Sequence, residues 1–304
     1  MGSPPLSVVM PVHNALPFLD ASIRSMLDQT FSDFEFVILN DASTDGSDRV
    51  LREWEKRDRR IRVIESDRKL GLAASSNLVV SSSRAKIVAR MDADDIAHPQ
   101  RLERQFEIMT KHPDIVVVGT LCDGIDAAGR RTRPPDRWRI VRRSMYIPFP
   151  HGSAMFRREA FDRLGGYSEE FVSGEDQNFF FRMTQLGRVV TLPDVLYHFR
   201  YHTDNTTVLS GALIQNGSNV DLAGLYMLGS MRLWSGHAPG ISPYVAVRKA
   251  STVNWQTVVT IASASLGTVS PAALRFMLRS VIRARDALAG LRVKDGRPYE
   301  WRLK

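Results

Sequence analysis

The first 120 residues alternate short β-branched runs with helical patterns, and this alternation constrains the fold more than any other feature of the chain. Strand-like runs fall at 7–12, 34–41, 61–65, 86–91 and 115–120, and helical patterns at 16–27, 46–56, 72–82 and 99–111. Pro99 suits the first turn of its helix, where a missing N–H costs nothing. Strands separated by helices of this length predict an α/β domain with a mostly parallel central sheet and helices on both faces. In such sheets ligands sit beyond the carboxyl ends of the strands, so the residues that follow each strand carry the functional information.

Those residues are polar. Pro11-Val12-His13-Asn14 closes the first strand, Asn40-Asp41-Ala42-Ser43-Thr44-Asp45-Gly46 follows the second, and Asp92-Ala93-Asp94-Asp95 follows the fourth. Asp92 and Asp94 share a side if the chain stays extended, because alternate residues of a strand face the same way. Two carboxylates so placed suit one hard cation, Mg²⁺ or Mn²⁺, together with substrate phosphates. The same residues also read as an acidic loop capping the helix near Pro99, and Asp-x-Asp alone does not choose between the two.

From 120 to 207 the pattern is less regular. Residues 126–129 read as a turn, 137–146 as a basic helix, and 153–157 as a short strand leading to a helix that ends at Gly165-Gly166. A helix at 176–186 and strands at 189–192 and 195–201, flanking Pro193-Asp194, complete this part. Beyond 209 strand signals vanish. Segments 213–233, 245–266 and 272–291 look helical, with Ser270-Pro271 as cap and first helical residue.

Charge divides the chain at the same place. The net +8 of the 304 residues comes from 41 Lys+Arg against 33 Asp+Glu. Residues 1–207 hold 29 of each sign, whereas 208–304 hold 12 basic and 4 acidic residues. Two regions are therefore expected, 1–207 and a helical, basic 208–304. Hydrophobic content of 43% and charged content of 24% exclude a disordered chain or a multi-span membrane protein. A single cysteine, Cys122, forbids an intrachain disulfide and points to a reducing, cytoplasmic setting. No basic stretch precedes an apolar run at the N-terminus, and no run of about 18 apolar residues occurs, so neither a signal peptide nor a membrane span is expected.

The ordered set Pro11-Val12-His13-Asn14, Asp41-Ala42-Ser43-Thr44-Asp45, Gly71 with Asn77, and Asp92-Ala93-Asp94-Asp95 resembles family 2 glycosyltransferases of the GT-A fold. His151-Gly152-Ser153, Gly165-Gly166-Tyr167, Gly174-Glu175-Asp176 and Arg200-Tyr201-His202 match the later blocks of that family. Each motif is short, but their order over residues 5–207 is specific. Family members often carry Arg immediately before the Asn matching Asn77, and this chain departs from that with Ser76.

The resemblance implies a GT-A domain, Rossmann-like, with a donor half at about 1–120 and an acceptor half at about 121–207. It implies an inverting transfer of sugar from a nucleotide-diphosphate sugar, UDP-type favoured, helped by Mn²⁺ or Mg²⁺. Pro11, Val12, Asn14, Asp41, Asn77 and Asp92 would form the donor site, with Asp41 on the uracil ring and Asp92 on the ribose or the water shell of the metal. Asp41 also reads as a turn or helix-capping residue. Asp94 and His202 would ligate the metal, with His198 a nearby competitor. Asp176 would be the general base, since inverting transfer needs one carboxylate to take the acceptor proton while the diphosphate leaves from the opposite face. Without the resemblance, Glu175-Asp176 would read as acidic residues favouring a helix N-terminus. His151, Gly152, Ser153 and Glu175 would line the acceptor region, and Phe179-Phe180-Phe181 would pack in the core.

The acceptor expected from this class is a hydroxyl of a glycan or of a lipid-linked molecule, which suits biosynthesis of a cell-envelope polysaccharide or glycolipid. The helix from Ala272 carries Arg275, Arg279 and Arg283 along one face. Residues 270–304 could therefore lie on an anionic membrane surface, at about 1 kcal/mol per basic residue, or pack on the catalytic domain with a solvated face. Nucleic acid ranks last, because no recognised nucleic-acid module accompanies the charge. A homo-oligomer is left open. The rivals are a polyprenyl-phosphate sugar synthase and a catalytically silent nucleotide-sugar-binding protein. A dehydrogenase is disfavoured because no G-x-G-x-x-G follows the first strand.

Overall fold

The computed structural model describes residues 2–132, 149–169 and 175–202. The expected alternation is present as β1 (Leu6–Val12), α1 (Leu16–Leu27), β2 (Phe34–Asp41), α2 (Ser47–Arg57), β3 (Ile61–Ser66), α3 (Leu72–Ser81), β4 (Ile87–Arg90), β5 (Ile96–Ala97), α4 (Arg101–Lys111) and β6 (Ile115–Ile125). After these come β7 (Arg131–Thr132), a 3₁₀ turn at His151–Ser153, β8 (Met155–Arg157), α5 (Arg158–Leu164), α6 (Glu175–Met183) and β9 (Arg188–Arg200). The basic helix expected at 137–146 and the whole of 208–304 lie outside the described residues.

One sheet of order β3-β2-β1-β4-β8-β6-β9-β5 runs through the described residues, with β7 added beside β6. Its first half is parallel: β1 pairs with β2 and β4, and β2 pairs with β3. The reason lies in β1 and β2, whose residues are nearly all buried, as a strand covered on both faces requires. Alternation then sorts the side chains. Leu6, Val8, Met10 and Val12 pack with Leu19, Ile23 and Met26 of α1, Leu51 and Trp54 of α2 and Leu102 of α4. Val9 faces the other way, with Val37, Leu39, Val79 and Val80, in the core that also holds Phe156, Phe161, Phe179 and Phe180. Phe179 and Phe180 are core residues, as expected.

The second half is mixed rather than mostly parallel. β8 runs antiparallel to both β4 and β6, whereas β9 is parallel to β6. The two strands expected around Pro193-Asp194 are one, because the ladder shifts register there. Leu192 and Val195 pair with the adjacent Thr120 and Leu121, which leaves Pro193-Asp194 bulged out of the pairing. Pro99 precedes α4 by two residues and sits in the turn before it, instead of in its first turn.

Candidate active site

Because β1, β2 and β4 are parallel, their carboxyl ends meet at one edge, and three polar loops converge there. Asn14 (φ 53°) and Ala42 (φ 51°) adopt left-handed conformations in the first two loops. Such conformations cost on the order of 1–3 kcal/mol each and persist only where surroundings fix them. Here the loops fix each other. Asn14 Oδ1 accepts from the Thr44 N–H at 2.8 Å, and the Asn14 N–H donates to Ser43 Oγ at 3.1 Å. Asp45 ties both helices that leave this edge, accepting from the Leu16 N–H at 2.8 Å and the Ser47 N–H at 2.9 Å. Pro11 is half-buried and Val12 is buried, and they end β1 beneath these loops.

Asp41 is 3% exposed, and its carboxylate closes the start of α3. Oδ1 accepts from the Leu70 N–H at 2.7 Å, and Oδ2 accepts from the Gly71 N–H at 3.2 Å and the Ser75 hydroxyl at 2.8 Å. The capping alternative is therefore realised, at α3 rather than at the segment after Ser43. Three donors still leave one of the roughly four acceptor positions of a carboxylate for a ligand. Asn77 is spent internally. Its amide clamps the backbone of Tyr167, donating to the carbonyl at 2.9 Å and accepting from the N–H at 2.8 Å. A Cβ on Gly166 would lie 2.5 Å from Asn77 Oδ1, so only glycine admits this clamp.

The acidic loop turns at Ala93-Asp94 instead of staying extended, so the same-face argument for Asp92 and Asp94 does not apply. Each carboxylate takes its own partner. Asp92 Oδ1 lies 3.0 Å from Nη2 of the buried Arg90. Burial pushes Asp92 above the ordinary carboxylate range, with Arg90 opposing and the charges of Asp94 and Asp176 adding to the rise. Asp94 Oδ2 lies 2.9 Å from His202 Nε2, so the two expected metal ligands come together from β4's loop and the end of β9. The Phe18 ring packs on the His202 ring at 4.6 Å, and Arg200 braces the loop by donating from Nε to the Asp94 carbonyl at 2.6 Å. His198 goes elsewhere, to Asp123. Asp95 is fully buried and accepts from the Arg200 N–H at 2.7 Å, and burial raises it well above the ordinary range.

The expected acceptor residues form the wall opposite, and most of them are buried. Ser153 is fully buried and bonds inward, to the Pro150 carbonyl at 2.9 Å. Gly152 is the closest approach of backbone to this centre, since a Cβ there would fall 1.9 Å from Tyr197 Oη and 2.6 Å from Asp92 Oδ2. His151 Nε2 lies 2.9 Å from the Tyr167 hydroxyl, and its Nδ1 lies 4.0 Å from Glu175. Burial, and then the charge of Arg90, depress His151 well below the usual imidazole value and keep it neutral. Burial together with the Asp176 charge pushes Glu175 up to about 8. Asp176 itself, in the first turn of α6, is half-buried. Its charge reaches Asp92, Tyr167 and Glu175 across the site.

Motif reading missed Arg90, Arg101 and Tyr197, which form the floor. Arg101 is fully buried under the Tyr197 ring, and burial lowers it to about 10. The only signal in the sequence is a pair of arginines flanking the acidic loop, one of them in an otherwise apolar strand. Among the described residues no cluster of three or more His, Cys, Asp or Glu side chains surrounds a metal position, and no helix is long and apolar enough to cross a membrane.

Comparison with known proteins identifies the family. Glycosyl transferase family 2 matches residues 7–165, so the chain belongs to that family and is a glycosyltransferase of the GT-A fold. EpsE of Bacillus subtilis, described as a glycosyltransferase, is 33% identical over 210 residues, spanning 66% of this chain and 74% of that protein. A mannosyltransferase from Pyrobaculum calidifontis, solved with GDP-Man and Mn²⁺, superposes with a TM-score of 0.60 at 18% identity, covering 94% of this chain and 87% of the other. Staphylococcus aureus TarS, solved with UDP-GlcNAc, gives a TM-score of 0.58 at 18% identity, covering 92% and 81%. At that identity the two structures speak to fold alone.

Proposed function

We propose that the chain transfers a sugar, with inversion, from a nucleotide-diphosphate sugar of UDP type to a hydroxyl on a growing glycan or a lipid-linked acceptor. The observation that carries this reading is the 2.9 Å pairing of Asp94 with His202 at the strand ends, facing a wall that bears Asp176. One carboxylate oxygen and one imidazole nitrogen are a donor set that suits Mn²⁺ or Mg²⁺ completed by water and diphosphate oxygens. Such an ion, when bound, offsets the charge that grows on the departing diphosphate.

The chain's own residues do the rest. Asp41, Pro11, Val12 and Asn14 shape the base pocket, with the remaining acceptor position of Asp41 available to an imide N–H. Asp92 contacts the ribose or the water shell. Asn77 acts by holding the Tyr167 turn. The acceptor oxygen attacks the anomeric carbon as the carbon–diphosphate bond breaks, and its proton passes to the Asp176 carboxylate. Buried Glu175 and His151 shape the wall around Asp176 without sharing that proton. Residues 270–304 bring the enzyme to an anionic membrane surface, which suits a peripheral, cytoplasmic-face role.

A panel of UDP-, GDP- and other nucleotide sugars with Mn²⁺, scored by release of nucleoside diphosphate and by thermal shift, tests the donor reading. Binding of a UDP sugar only when Mn²⁺ is present supports it, and metal-independent binding or none contradicts it. A phosphate-acceptor synthase would keep turnover in Asp176→Asn. A silent binder would release no diphosphate in any arm.

A further inference from the structure

Arg90 ends β4 with a side chain 2% exposed and its guanidinium enclosed on all sides. Nη2 lies 3.0 Å from Asp92 Oδ1, Nη1 donates to Ser76 Oγ at 3.0 Å, and Nε is buried without an acceptor. A buried ion pair seldom repays its desolvation, so a guanidinium left with an unmet N–H is a poor device for stability. Its charge nevertheless reaches both sides of the centre: Asp92 and Tyr197 on one, and Tyr167, Glu175 and His151 on the other. The residue it touches on α3 is Ser76, whose short side chain lets the guanidinium bridge α3 and Asp92.

We propose that Arg90 is a positioning residue that aims the Asp92 carboxylate at the donor, its guanidinium fixed between Asp92 and Ser76 of α3 so that an arginine introduced at position 76 could take over the task. The inference rests on the reading of Asp92 as a donor contact. Asp92 Oδ1 is held by the fork, which leaves Oδ2, the oxygen facing Gly152, for the ribose or the water shell of the cation. Lysine cannot reproduce this, because an ammonium is a point charge without the planar fork that bridges Ser76 and Asp92 together.

The test measures Mn²⁺-dependent binding of UDP and of GDP to the full-length protein by calorimetry, with circular dichroism as the folding control. Arg90→Met is expected to weaken binding by about tenfold or more, the range found when a partner that orients a ligating group is removed. Ser76→Arg alone is expected to weaken it too, by crowding two guanidinium groups. The double variant Ser76→Arg with Arg90→Met should recover to within about threefold of wild type, a rescue that a merely structural role for Arg90 would not produce. Should Arg90→Met fail to fold, Arg90→Lys with and without Ser76→Arg gives the same comparison. Binding by the single variant equal to wild type, or a folded double variant no better than the single, overturns the proposal. A wild-type protein that binds neither nucleotide with Mn²⁺ overturns instead the donor reading beneath it.

Discussion

Two carboxyl groups near the strand ends, Asp45 and Glu175, are driven in opposite directions from the ordinary carboxylate range. Asp45 is half-buried in the loop after β2, where burial alone would raise it, but the N–H groups of Leu16 and Ser47 and the Ser47 hydroxyl outweigh that and carry it below the ordinary value. Glu175 is buried at the start of α6, where burial dominates and the neighbouring Asp176 charge adds to it, so it rises to about 8. The difference is one of burial set against available donors. Parallel strand ends and helix N-termini expose unpaired N–H groups, which satisfy carboxylates and keep them ionised. Glu175 also begins a helix, and a backbone N–H lowers it, but it is buried beside His151 and there burial outweighs that donor.

Removing Asp94 should have the largest effect. Asp94→Ala is expected to weaken UDP binding in Mn²⁺ by about 100-fold, the upper end of what altered metal surroundings cost, while binding without metal stays as it was. Calorimetry with and without Mn²⁺ checks this. Asp45→Ala frees two helix N-termini at once and should lower stability by about 1–2 kcal/mol, read from denaturant midpoints at constant slope.

Glu175 gives a pH test with a defined sign. Its folded value of about 8 exceeds its ordinary value near 4.5, so the folded protein keeps a proton that the unfolded chain releases. The stability it contributes is complete below about 4.5 and is lost as pH rises through about 8. Thermal melting of the wild type should therefore fall across that window, and Glu175→Gln should flatten the fall. Smallest is the effect expected from truncation: deleting residues 270–304 should release the protein from anionic vesicles without changing Mn²⁺-dependent nucleotide binding, as co-sedimentation reads. Undiminished co-sedimentation contradicts the membrane role.

The parallel half was legible because its strands are apolar runs with their own helices, and β2 and α1 begin and end where the pattern says. β5 and β7 were invisible because two-residue strands have no periodicity of their own. β9 read as two strands because proline breaks a pattern locally, while the bulge that tolerates Pro193 is a property of pairing with β6. In the site, the order of the motifs singled out Asp94 and His202, which lie 2.9 Å apart, and ranked His202 above His198, which pairs with Asp123. It did not reveal that Asn77, Ser153 and much of Asp41 are spent on holding the backbone. Nor did it reveal Arg90, whose role depends on a serine of another helix meeting it in space.

The proposed role of Asp176 as general base is open to a direct test with Asp176→Asn. Donor binding and transfer are to be measured side by side on the wild type and the variant, with Mn²⁺ and the nucleotide sugar the panel selects. Donor affinity within about threefold of wild type and transfer reduced by about 10²–10⁴-fold, the range general-base removal produces, are expected of the variant. Transfer that survives the substitution at the wild-type rate would contradict it.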